Sequence, residues 1–300
     1  MNKVFKITIF FIGGIILFLC VMFLVANLVI GKIASNKLTH ILKERIEKKK
    51  IEAPVSFADL SINPLMGEIA LTDLSIQATD TEEQAFRCET ITFGISPVDV
   101  VSLIRSEDKG GLKDMDITIE GFHFIHSASQ IGIDCNEIRL KFKGHITQKA
   151  LGSLGHGDFT PLLTEGQKIG VSASDSIISL PGAMENTDFP EEVRKKGLSI
   201  HTALLDITSI PAKRQIRVKS EKIISPLWSG VMDIRIEVNE GDIDASEIRA
   251  GKIILRDIHE DLRPVFERLE EKKGRKILRK DNSVVAEITG TLGNPQLVFK

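Results

Sequence analysis

Residues 7–31 carry no charged side chain, and 9–19 are apolar apart from Gly13 and Gly14. No other feature constrains the chain so strongly. A hydrocarbon core of roughly 30 Å needs about 20 helical residues, so the segment is long enough to span a bilayer with some tilt. A buried core helix rarely stays uncharged over such a length. Ile7, Phe11, Leu17, Val21, Leu24 and Ile30 mark the expected membrane anchor. A cleaved signal peptide fits less well, because its apolar region runs only about 7–15 residues. No small-x-small cleavage site follows, and Cys20 lacks the small preceding residue that lipid attachment usually needs.

The sequence alone leaves the orientation open. Lys3, Lys6 and the terminal amine precede the span, whereas Lys32, Lys37, Lys43, Arg45, Lys48, Lys49 and Lys50 follow it. Counted directly, the positive-inside rule places the C-terminal part in the cytoplasm, but that rule weakens for long translocated domains. The basic stretch also suits a surface of anionic headgroups. Ile33, Leu38, Ile41, Leu42 and Ile46 recur at helical spacing, so the anchor continues as a stem over 33–51. Pro54 stops it.

Beyond the stem the period changes from helical to alternating. Segments 55–62 and 67–76 alternate strongly and are joined through Asn63-Pro64 and Gly67, which is turn chemistry. In the second, Ile69 and Leu71 share one parity and Leu74 and Ile76 the other, predicting a bulge or kink near Thr72-Asp73. Further alternating stretches lie at 86–95, 115–125, 131–142, 168–180, 198–207, 215–224, 231–238, 243–255, 283–288 and 295–299. Many strands at short spacing argue for an antiparallel sheet. Three helical interruptions are expected, at 97–104, 147–154 and most strongly 259–278, with Pro264 in the first turn and Gly274 ending or weakening it. The fold class expected is mainly β with an N-terminal transmembrane helix, its curved antiparallel sheet or groove carrying a few short helices. Residues 1–50 form the anchor and stem and 51–300 the β-rich domain.

Chemistry is hard to find. A net charge of −2 argues against a nucleic-acid binder. No nucleophile elbow, phosphate-cradling loop or paired zinc-ligand helix motif occurs. His123 and His126 are three apart, so on a strand they point to opposite faces and do not share a metal. His145 and His156 lie in Gly-rich surroundings, where a ligand role is the less favoured reading. Glu240, Asp242 and Asp244 alternate in a way that suits a hard cation, although solvated side chains at a turn are the plainer reading. Trp228 is expected in the core or at a rim. With Cys20 in the anchor, Cys88 and Cys135 form one possible disulfide or simply two small apolar residues in strands. The expectation is no catalytic residue, no cofactor and no metal.

The order of these patterns resembles a known family. The strands through Asn63-Pro64 and Gly67-x-Ile69-x-Leu71-x-x-Leu74-x-Ile76, directly after a membrane anchor, resemble the N-terminal portion of AsmA-like proteins. Ile91-Thr92-Phe93-Gly94-Ile95-Ser96-Pro97, a short helix, then Ile117-Thr118-Ile119-Glu120-Gly121 follow the same succession. Gly290-Thr291-Leu292-Gly293-Asn294-Pro295 resembles the family's ending. The resemblance covers 1–125 and 283–300, and its motifs are packing and turn patterns. It implies a single-pass protein of the inner membrane with its C-terminal domain in the periplasm. Its expected work is cell-envelope or outer-membrane assembly, with a β-sheet groove binding or passing lipid acyl chains. Its expected partners are the lipid bilayer, a phospholipid or other envelope lipid, and envelope proteins. The alternative is an assembly factor, such as a secretion-system accessory protein, that transfers no lipid. A non-enzymatic role is expected in both.

Overall fold

The computed structural model describes residues 55–77, 84–98, 112–126, 131–146, 168–179, 190–239 and 245–300, with single helical positions at 32, 36, 39 and 40. The expected anchor, with Ile7, Phe11, Leu17, Val21, Leu24 and Ile30, lies outside these residues, as does the helix expected at 147–154. Among the described residues no helix is long and apolar enough to cross a membrane.

Alternation becomes strand almost everywhere. The strands are β1 (Val55–Ser56), β2 (Asp59–Asn63), β3 (Glu68–Gln77), β4 (Gln84–Gly94), β5 (Leu112–His126), β6 (Ile131–Ile146) and β7 (Lys168–Ser179). They continue as β8 (Leu198–Ile210), β9 (Gln215–Ile224), β10 (Ser229–Glu237), β11 (Glu247–Arg256), β12 (Val284–Gly290) and β13 (Pro295–Phe299). All belong to one antiparallel sheet in which each strand from β3 onward pairs with the next in sequence. β1 and β2 both pair with β3 in one continuous register, forming a single edge broken at Phe57-Ala58. β13 lies at the other end of the order, so the sheet is open.

Two local devices set the first turn. Asn63 Oδ1 accepts the Met66 N–H at 3.3 Å, and Gly67 then takes φ 69°. Its carbonyl accepts the Ile95 N–H at 2.8 Å, and a Cβ at Gly67 would lie 1.9 Å from Ile95 O. Only glycine fits there. Register farther along is matched by charge. Asp116, Lys141, Gly170, Asp206, Lys219, Asp233, Lys252 and Glu287 face one another in turn across β5 to β12, nearly every neighbour being of opposite sign. A one-residue slip would place like or unpaired charges side by side and turn the apolar set outward.

The helices differ from the sequence expectation in two ways. A helix absent from that reading, α1 (Glu191–Lys196), precedes β8. Pro190 starts it, Glu191 pairs with Lys195, Val193 is buried, and Gly197 ends it at φ 86°. The helix expected over 259–278 is shorter. A 3-10 turn at Glu260–Leu262 leads into α2 (Arg263–Lys273), with Pro264 in its first turn. Gly274 stops it in the left-handed region at φ 67°. Past that cap the chain turns back, because Glu270 captures the N–H groups of Ile277 and Leu278. Of the helix expected at 97–104, the two described residues, Pro97 and Val98, are helical.

Candidate functional site

Cross-strand register assembles the sheet's apolar side chains into rows. Leu60, Leu71, Ile91, Ile119, Ile138, Ala173, Ala203, Ile223, Gly230, Leu255 and Val284 are successive partners from β2 to β12. No polar residue interrupts them. One pleat away runs a second row: Ile62, Ile69, Phe93, Ile117, Leu140, Val171 and Leu205, then Ser220. It resumes with Met232, Ile253, Ala286 and Phe299. Ser220 is its one polar member. That hydroxyl is buried, the residue being 2% exposed, and has no hydrogen-bond partner among the described residues. An unpaired buried hydroxyl costs about 1–3 kcal/mol.

This face carries two packed cores and a stretch of partly buried side chains. Leu60, Ile62, Ile95, Met115, Phe142 and Ile169 form one core, which runs from β2 to β7 along one margin of the strands. Beside the last strands Ile258, Leu262, Phe266, Ile277 and Val284 form a second, against which Leu227, Trp228, Leu255 and Phe299 pack. α2 therefore stands over the last strands. On β5 to β8, farther along the strands from the first core, Ile119, Ile138, Ala173 and Ala203 are only partly covered.

A transverse crease crosses the sheet. The ladder skips Asp73 and Glu89, then Gly121, Asn136, Asp175 and His201, one in each of β3 to β8, and between β4 and β5 also Cys88 and Phe122, with register unchanged on either side. Asp73, Gly121 and Asp175, on alternate strands, have φ of 50°, 61° and 47°. The apolar parity reverses at the same line: Ile91 and Phe93 give way to Cys88 and Phe86, Ile117 and Ile119 to Phe122 and Phe124. A left-handed residue reverses the pleat once, as in a glycine-type bulge, and so keeps both runs on one face. The kink read at Thr72-Asp73 is thus the first of a series. Beyond the crease Phe86 meets Phe122 edge-on at 5.4 Å between ring centroids.

Both cysteines lie just past the crease, and neither is paired. Cys88 is 0% exposed and free, as is buried Cys135. Phe122, the partner of Cys135, belongs to the strand between theirs. Two inter-strand spacings, about 9.5 Å, exceed the roughly 7 Å limit for a disulfide. Burial pushes the Cys88 thiol up, with the Asp73 carboxylate adding to it and a backbone hydrogen bond at Leu74 opposing it. Cys135 Sγ contacts Ser176 Oγ at 3.0 Å and the carbonyls of Glu137 and Ser174.

The remaining candidate residues do not converge. His123 bonds Asp134 on the polar face, and His126 ends the same strand. His145 lies on β6. His156, Glu240, Asp242 and Asp244 lie outside the described residues. Among the described residues no group of three or more His, Cys, Asp or Glu could hold a metal. Trp228 packs beside the α2 cluster, over Gly230. The rows themselves escaped sequence reading, because each strand supplies only one or two members and the register joins them. The arrangement offers a long apolar surface with charges on the reverse face. It can hold hydrocarbon, and it presents no grouped acid, base or nucleophile among the described residues. No protein-family model, curated protein or solved structure matches this chain.

Proposed function

We propose that this chain is a membrane-anchored envelope protein, similar to AsmA-like proteins, whose apolar sheet face binds or passes lipid acyl chains without chemical change. The observation that carries the reading is the apolar row from Leu60 to Val284, unbroken across the sheet and only partly covered at its middle. Soluble monomers rarely leave large contiguous apolar patches open. A twisted open sheet of more than about 10 strands curls or splits. Curling this one around its apolar side makes a groove with charged walls outside.

The uncharged segment at 7–31 supplies the anchor, and the family resemblance puts the β-rich domain on the periplasmic side of the inner membrane. Replacing Leu17 and Val21 together by arginine removes the protein from sedimented membranes, since each central charge costs about 2.5–3.5 kcal/mol on insertion.

The lipid reading is tested by purifying the full chain from membranes and measuring bound lipid by native mass spectrometry. Phospholipid at reproducible stoichiometry supports it. A lipid-free protein favours the second reading, an envelope assembly factor, for which the unpaired outer edge of β13 and exposed Leu297 speak.

A further inference from the structure

Both apolar rows end in one cavity. It measures about 250 Å³ and is lined by apolar residues only, among them Trp228, Met232, Ile253, Leu255, Val284 and Phe299. Leu255 and Val284 are the last members of the first row; Met232, Ile253 and Phe299 belong to the second. Val284 belongs to the cluster under α2, and Trp228, Leu255 and Phe299 pack against it, so the cavity adjoins that core. Leu297, 50% exposed, also lines the cavity, at the sheet's outer edge.

We infer that this cavity seats the methyl end of an acyl chain lying along the rows, so that the protein recognises the tail of its lipid rather than its head. The inference rests on the reading of the apolar face as an acyl-chain surface. Three properties commit the cavity to this occupant. No lining side chain is charged and no acceptor or donor is grouped there, so a headgroup would lose its water without replacement. Its volume falls below the roughly 300–1,000 Å³ of sites that enclose a whole small ligand. It exceeds the ~150 Å³ at which an apolar cavity in another protein stays dry and takes up hydrocarbon. Each methylene seated there raises affinity about fourfold, so the site discriminates chain length.

The chain holds one tryptophan and no tyrosine, so its near-ultraviolet emission reports on the cavity wall alone. The full chain in amphipol is titrated with hexadecanoic acid brominated either at the terminal carbon or beside the carboxylate, with binding measured separately by native mass spectrometry. The expected result is strong quenching of Trp228 by the terminal bromide and little by the other, at equal binding. Leu297→Glu, at an exposed position, and Ala286→Leu, which fills the cavity, should each abolish that difference. Should the buried Ala286 variant fail to fold, Leu297→Glu still decides. Equal binding without position-dependent quenching overturns the cavity assignment and leaves the acyl-chain surface standing. Absence of binding by either acid removes both.

Discussion

Glu270 accepts the N–H groups of Ile277 and Leu278 through one oxygen, each at 2.7 Å. Those backbone hydrogen bonds, Leu278 first and then Ile277, hold its carboxyl below the ordinary value of 4.5. The stabilisation is complete above 4.5 and disappears as pH falls through the lower folded value. Glu270→Ala should therefore lower the thermal midpoint at neutral pH, and its gap from the unaltered protein should close in acid. Melting curves of both proteins along a pH series check this. Gly67 is constrained by geometry instead. With φ 69° and Ile95 O only 1.9 Å from any added Cβ, Gly67→Ala should cost about 2–4 kcal/mol in denaturant unfolding. Cys88 is governed by burial. It should stay unreactive towards maleimide in the native protein and label once the chain is unfolded, as mass spectrometry would show.

Among the elements, those with a period of their own were legible. β9 and β13 fall on residues 215–224 and 295–299, where alternation and flanking turns coincide. α1 escaped notice because its six residues are too few to show a period. Its signals were the proline ahead of Glu191, the Glu191–Lys195 spacing and Gly197. The crease was read on β3 alone, since only there do two clear apolar pairs of opposite parity flank an aspartate. On β5 and β7 the same reversal, at Gly121 and Asp175, resembles ordinary irregularity until register aligns the strands. α2 has the clearest energetic consequence. Phe266 is buried in the cluster with Leu262, Ile277 and Val284. Phe266→Ala should cost about 3–5 kcal/mol, measured as a loss of denaturant midpoint with unchanged slope.

The molecule as a whole sorts its side chains by face. Charges of alternating sign lie on one side and hydrocarbon on the other, with one core along a margin of β2 to β7 and a second under α2. A sheet built solely for stability would cover these side chains fully, because each partly exposed isoleucine forgoes part of the roughly 1.5–3 kcal/mol that full burial supplies. Ala173 and Ala203, directly paired at the centre, are the smallest members of the first row apart from Gly230. Replacing both by phenylalanine adds bulk above the sheet without touching a packed core. If acyl chains lie along the rows, the double variant should keep its far-ultraviolet circular dichroism and lose most of its co-purified lipid. Ser172→Phe, the adjacent residue on the charged face, should keep both. Equal lipid content in all three proteins would mean that the central rows carry no acyl chain. The half-covered middle would then belong to a protein partner, and the search would move to the edges at β1–β2 and β13.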